Sequence, residues 1–194
     1  MKLINDPVYL ASQSPRRKEL LDRICSNVIV IRIDAEENIP PVLSPAEVAI
    51  KIAEEKMNVA IPEVSGSGYI LTADTIVSCD NKILGKPGSE QAATEMLRLL
   101  SGRKHQVYTG FCIYHLNDKK LSSDVAKTDV TFCELSPKEI DLYIKTGSSM
   151  DKAGAYGIQD PLGSVFVKSI SGCYYNVMGL PLSQVYQSIR GALD

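Results

Sequence analysis

Short apolar, β-branched runs alternate with amphipathic helical stretches through the first half of the chain. Such alternation places helices against a sheet and narrows the fold to the α/β class. Val8–Ala11 and Asn27–Ile33 read as strands around a helix at Pro15–Ile24, with Ser14 as its N-cap and Pro15 at the first helical position. Ser44-Pro45-Ala46-Glu47 is a capping box that opens a helix to about Asn58. Val48, Ala49, Ile52, Ala53 and Met57 share its apolar stripe. Pro62–Gly68 reads as a loop, and Tyr69–Ser78 as a strand. Asp80-Asn81 turns into a short strand, Lys82–Leu84, before a helix at Glu90–Leu100 that Gly102 stops.

The second half is patterned differently. Gln106–Leu116 and Ser123–Phe132 form two strands turned by Asn117-Asp118, a hairpin pattern. A second capping box, Ser136-Pro137-Lys138-Glu139, starts a helix that ends near Gly147, and a Gly-rich loop follows to Gly163. Val165–Ile170 and Tyr174–Val177 read as a hairpin around Ser171-Gly172, and Leu182–Leu193 as a final helix. Alternation followed by hairpins predicts a mixed rather than a purely parallel sheet, flanked by helices.

The 194 residues suit one domain or two closely joined lobes, and no Pro- or Ser-rich linker separates them. A net charge of −2 argues against a nucleic-acid binder held by bulk positive charge. Cys25, Cys79, Cys112, Cys133 and Cys173 are scattered and odd in number, which fits free thiols in a reducing compartment better than a disulfide framework or a zinc site. No basic-then-apolar segment opens the chain and no apolar run has spanning length, so the expectation is a cytoplasmic protein without a membrane partner.

Four segments could carry chemistry. Ser12-Gln13-Ser14-Pro15-Arg16-Arg17 joins a strand to a helix start, where unpaired N–H groups and two arginines suit phosphate oxygens. A solvated helix start with surface arginines fits the same residues. Asp74 interrupts the apolar run Leu71–Val77, and a carboxylate there must be paired or bound to a cation, or lie on a wet strand face. Asp34-Ala35-Glu36-Glu37 ends a strand and could offer oxygen ligands to a hard cation, although an acidic surface loop is the commoner origin of such a cluster. Lys56, Lys86 and Lys152 are the candidate cations, Lys86 beside Pro87 in a rigid turn and Lys152 in a run of small residues that lets backbone approach a ligand. Ordinary surface lysines are the alternative, above all for Lys56 on a helix. His105 and His115 have no nucleophile or ligand spacing and read as structural. Neither a G-x-x-x-x-G-K-[ST] loop nor a G-x-G-x-x-G turn is present, which excludes the common P-loop and dinucleotide-binding plans.

Together these segments resemble the Maf family of nucleotide pyrophosphatases. The matching stretches are Leu10-Ala11-Ser12-x-Ser14-Pro15-Arg16-Arg17, Ala73-Asp74-Thr75, Gly85-Lys86-Pro87, Ser101-Gly102-x-x-His105-x-Val107-x-Thr109-Gly110, Asp151 through Gln159, and Gly179-Leu180-Pro181. They occur in family order across nearly the whole chain. The resemblance implies a twisted mixed sheet of the Maf/ITPase-like kind, in two lobes around a cleft. It implies hydrolysis of a nucleoside triphosphate between the α and β phosphates, giving a monophosphate and pyrophosphate. It further implies a divalent cation, usually Mg²⁺ with Mn²⁺ as the alternative, and a homodimer. Asp74 matches the family's proton acceptor, and Glu37, Lys56 and Lys86 its charged active-site residues. Glu37 stands beside Glu36, and either could be the active-site carboxylate. Glu37 and Asp74 would hold the metal. Ser12, Ser14, Arg16, Arg17, Thr75, Lys152 and Gln159 would contact substrate. Arg16, Thr75 and Gln159 match the positions of the dTTP/UTP branch, with modified pyrimidine nucleotides as further candidates and 7-methyl-GTP as the substrate of a different branch. A Gln amide, which both donates and accepts, suits a pyrimidine edge. The family's link to inhibition of septum formation keeps open a regulator that binds nucleotides without hydrolysis, and a phosphatase releasing inorganic phosphate is a third possibility.

Overall fold

A computed structural model of the chain describes residues 2–35 and 43–191. Its strands are β1 (Val8–Ala11), β2 (Val28–Ile31), β3 (Tyr69–Cys79), β4 (Lys82–Leu84), β5 (Lys104–His115), β6 (Lys120–Phe132) and β7 (Val167–Ser171). Its helices are α1 (Pro15–Leu21), α2 (Pro45–Ala60), α3 (Glu90–Leu100), α4 (Pro137–Lys145), α5 (Pro161–Phe166), α6 (Tyr174–Met178) and α7 (Leu182–Gly191). The strand order is β2-β1-β3-β5-β6-β7, with β4 paired to β3. β1 runs parallel to β2 and β3, whereas β3–β4 and β6–β7 are antiparallel. The sheet is mixed, as the sequence predicts.

The chain forms two compact units: Met1–Asp74 with Thr109–Ala126 and Gly179–Asp194, and Thr75–Tyr108 with Lys127–Met178. In the first, the Ser44 capping box closes in both directions, Glu47 N donating to Ser44 Oγ at 3.4 Å and Ser44 N to Glu47 Oε2 at 2.8 Å. A cap of this kind stabilises a helix by about 1 kcal/mol. The predicted stripe Val48, Ala49, Ile52, Ala53 and Met57 is buried. Ala53, Met57 and Ala60 pack with Ala11, Ile70 and Cys112. Two further contacts seat α2. Thr72 Oγ1 donates to Ala53 O at 2.7 Å. A Cβ at Gly110 would stand 2.3 Å from the Ala49 carbonyl carbon and oxygen, so only glycine lets β5 lie so close to the helix backbone.

An aromatic cluster forms the interior of the second unit. Phe132 lies edge-on to His105, Tyr156 and Phe166, with ring centroids 4.9, 4.7 and 6.1 Å away, and Tyr143 meets Phe166 at 5.3 Å. Such edge-to-face pairs add about 0.5–1.5 kcal/mol each beyond the area they bury. His105 is fully buried and shares a 2.9 Å hydrogen bond with the Tyr156 hydroxyl. Burial pushes its pKa down to about 4, so the ring is neutral and structural.

Two expectations are corrected here. Tyr174–Val177 is not a strand: β7 pairs with β6, and Tyr174–Met178 is helical. Asn176 fixes that turn of helix by donating to Val107 O at 3.1 Å and Thr128 Oγ1 at 2.9 Å. Pro161–Phe166 is also helical, with Asp160 at its N-cap, where the end of the Gly-rich loop and the first two residues of the strand Val165–Ile170 are expected. Smaller differences are a 3-10 turn at Ile61–Glu63, where a loop is predicted from Pro62, and a β6 that already begins at Lys120.

Candidate active site

β3 is eleven residues long, and all of them are buried except Asp74 and Thr75. Strand propensity and the core thus fix the backbone on both sides of one partly exposed window. The Asp74 carboxylate is paired there: Lys56 Nζ, from the buried side of α2, lies 2.6 Å from Asp74 Oδ1. The two side chains are 17% and 16% exposed, so the pair is only partly screened by water. Removing one member strands a poorly solvated charge. The Lys56–Asp74 contact removes the solvated-surface reading of both residues, since their side chains are 17% and 16% exposed.

Ser12-Gln13-Ser14 leads into α1. Ser14 occupies the N-cap position, but its side chain makes no capping bond. Ser12 organises the segment instead, since its Oγ accepts from Ser14 N at 3.2 Å and from Arg17 Nη1 at 3.1 Å. Arg17 is 9% exposed and donates Nε to Gly179 O at 2.9 Å, joining the first and last matching stretches within one unit. Part of its fork therefore holds structure. Arg16 is half-buried beside it.

In the second unit Gly154 N donates to Gly85 O at 3.1 Å, which ties the Gly85-Lys86-Pro87 stretch to the Asp151–Gln159 stretch. Lys86 is exposed and Pro87 buried. Gly154 and Ala155 both adopt left-handed backbone, with φ of 68° and 61°. For Ala155 that conformation is strained, and strain of this kind concentrates at functional loops. Lys152 Nζ faces three acceptors: Ser148 O at 2.5 Å, Asp151 Oδ1 at 2.8 Å and Asp160 Oδ2 at 3.4 Å. Its side chain is 10% exposed, so its charge is held in place rather than swinging in solvent. Tyr143 donates its hydroxyl to Asp160 Oδ2 at 2.6 Å and accepts from Gly157 N at 2.9 Å. Burial, then the Asp160 hydrogen bond, pushes the Tyr143 phenol well above its ordinary value, so it stays a donor. Gln159 is half-buried, and its Oε1 is buried without a hydrogen-bond partner among the described residues. Glu37, and Glu36 beside it, lie outside the described residues.

Residues 7–192 match the Maf-like protein family. The chain belongs to this family. Among its Maf-like relatives, the dTTP/UTP pyrophosphatase of Chlorobium phaeovibrioides is 46% identical, over 95% of this chain and 96% of that one. The dTTP/UTP pyrophosphatase of Syntrophomonas wolfei is 47% identical over 91% and 93%, and that of Bacillus cereus 42% over 94% of each. Among solved structures, the Staphylococcus aureus Ham1 protein superposes with a TM-score of 0.53 at 12% identity, covering 96% of this chain and 99% of that one. That likeness is one of fold.

Membership in the Maf-like family also implies a divalent cation. No cluster of three or more His, Cys, Asp or Glu occurs among the described residues, but Mg²⁺ needs only one or two carboxylates when substrate phosphates complete its shell. Asp74 fits that donor set, because its carboxylate pairs with Lys56 through Oδ1 and carries a second hard oxygen in Oδ2. Two residues of the Maf-like chain escaped sequence reasoning. Tyr143 looks like one more apolar-face residue of α4, and its partners are 14 and 17 positions away. Asp160 did carry a signal, since Asp followed by Pro is a helix-start pair.

Proposed function

We propose that this chain hydrolyses dTTP and UTP, and modified pyrimidine nucleotides of the same shape, to the monophosphate and pyrophosphate. The observation that carries the proposal is the largely buried Asp74 carboxylate, 16% exposed, held by Lys56 at 2.6 Å on an otherwise buried strand. The names and near-complete coverage of the Maf-like relatives support the substrate.

In this mechanism Asp74 accepts a proton from the attacking water. The water oxygen bonds to the α-phosphorus, the bond from that phosphorus to the α–β bridging oxygen breaks, and pyrophosphate leaves with that oxygen. Lys56, 2.6 Å from Oδ1, orients the Asp74 carboxylate. Arg16, Arg17 and Lys86 neutralise the phosphates, and Ser12 and Ser14 contribute hydroxyl donors. Lys152, its ammonium already facing three acceptors, contributes charge rather than a new hydrogen bond. Arg16, Thr75 and Gln159 select the base. Asp74, with Glu37 as a second carboxylate, would hold a Mg²⁺ or Mn²⁺, which would supply charge neutralisation at the phosphate oxygens. A cytoplasmic homodimer completes the proposal, and neither nucleic acid nor membrane is a partner. No described helix is long and apolar enough to cross a membrane.

The deciding experiment measures pyrophosphate released from dTTP and UTP with Mg²⁺. Asp74→Asn should remain folded and lose about 10²–10⁴ in turnover, the usual worth of a positioned general base. Near-normal turnover in that variant would remove Asp74 from the mechanism. Inorganic phosphate as the first product, preference for 7-methyl-GTP, or nucleotide binding without any product would each overturn the proposed activity.

A further inference from the structure

We propose that Tyr143 is a positioning residue for base selection: its hydroxyl clamps both ends of the turn that carries Gln159 and thereby holds the Gln159 amide to thymine and uracil against cytosine. The proposal rests on the assignment of Gln159 to the base made above.

Gly157-Ile158-Gln159-Asp160 is a four-residue turn closed by Asp160 N donating to Gly157 O at 3.1 Å. The same phenol oxygen, on α4, then holds the first and the fourth residue, accepting from Gly157 N at 2.9 Å and donating to Asp160 Oδ2 at 2.6 Å. Tyr143 is 1% exposed, and its ring is wedged edge-on against Phe166, so the clamp cannot follow the turn if the turn moves. Asp160 is fixed again from outside: Lys152 Nζ lies 3.4 Å from Oδ2, and Ser164 N donates to Asp160 O at 2.8 Å. Gly163 packs so near Gly157 that a Cβ on it would stand 2.1 Å from Gly157 O. Gln159 is the third residue of this braced turn, and its Oε1 is buried with no hydrogen-bond partner among the described residues. A buried acceptor without a partner is costly to keep and calls for a functional or structural reason.

The chemistry of the amide explains why bracing matters. Thymine and uracil offer a donor at N3 and an acceptor at O4; cytosine offers an acceptor at N3 and a donor at N4. A Gln amide pairs with either edge, with its oxygen and nitrogen exchanged between the two cases. A loosely held Gln therefore tolerates both bases. Discrimination is helped when the backbone beneath the amide is fixed before the base arrives, because fewer amide orientations then have to be ordered on binding.

The experiment compares kcat/KM for dTTP with kcat/KM for dCTP in the full-length protein. Tyr143→Phe keeps the ring and deletes the clamp. The dTTP/dCTP ratio should fall by at least about tenfold, roughly the net worth of one hydrogen bond, chiefly through KM while kcat for dTTP stays close to the parent's. Asp160→Ala should do the same, whereas Asp160→Asn, which keeps an oxygen for the phenol, should retain most of the discrimination. If Tyr143→Phe does not fold, the Asp160 pair decides alone. Gln159→Ala separates the two ways of failing. A ratio lowered by Gln159→Ala but unchanged in Tyr143→Phe and Asp160→Ala overturns the positioning role and spares the base assignment. A ratio unchanged in Gln159→Ala overturns the base assignment, and the positioning role with it.

Discussion

Gly110→Ala tests the joint between α2 and β5 most directly. The added methyl would stand 2.3 Å from both the carbonyl carbon and oxygen of Ala49 and 2.5 Å from Ile50 N. Non-bonded carbon atoms sit about 3.5–4.0 Å apart, so α2 or β5 must retreat by more than about 1 Å. The obstacle is backbone at the buried Ala49, not the end of a flexible side chain, so nothing can swing aside. Overpacking of this kind costs about 3 kcal/mol, the upper end of the usual range, because a whole helix is displaced. For a chain of this length the melting temperature should drop by about 6–12 °C. The same displacement carries Lys56 away from Asp74, whose separation is 2.6 Å. A misplacement of about 1 Å in a catalytic pair reduces turnover by about 10²-fold. Calorimetry and pyrophosphate release, read side by side, check both numbers. Gly88→Ala is the control, because its methyl would meet nothing within 4 Å. A Gly110→Ala protein that melts within about 2 °C of its parent, a shift equivalent to less than 1 kcal/mol, would refute the close approach.

His105 gives the protein a pH dependence that can be assigned to one ring. Its pKa falls from 6.5 to about 4 in the folded state, so between these values the unfolded chain binds the extra proton. Stability contributed by neutral His105 is complete above about pH 6.5, is lost progressively as pH falls, and levels off below about pH 4, for a total of about 3 kcal/mol. Urea titrations across that window should show this loss in the parent and its disappearance in His105→Gln, measured relative to each variant's own stability at neutral pH. Arg17→Lys should destabilise by about 1.5–3 kcal/mol, because an ammonium cannot reproduce the separate Nε and Nη1 bonds to Gly179 O and Ser12 Oγ. The check is a lower urea midpoint at an unchanged slope.

Local signals carried much of the fold. Both capping boxes formed as their spacing predicts, and both helices begin at the Pro that follows the capping Ser. The break at Asp74 in an apolar strand was legible because an ionised group inside such a run has few physical explanations. What failed was decided by distant contacts. Tyr174-Tyr175-Asn176-Val177 has strand-like composition, yet the Asn176 side chain finds acceptors at Val107 and Thr128 only if that segment turns into a helix. Those bonds outweigh a weak local preference. Tyr143 was hidden for the same reason, since its hydroxyl acquires its meaning from residues brought up to it by folding. Ser14 erred in the other direction: the position of the cap was correct, but Ser12 takes the hydrogen bonds.

The burial of β3 also sets how this protein can change over generations. Tyr69 through Ala73 are fully buried, and Ile76 through Cys79 are at most 4% exposed, so a new side chain at any of these nine positions disturbs the core. Asp74 is bound to Lys56 and, on the proposed mechanism, to the reaction itself. Thr75 is the other residue of the strand that lies outside the fully buried run. A lineage that shifts its substrate by altering this strand disturbs the core least at Thr75, and a directed-evolution library on β3 would begin there.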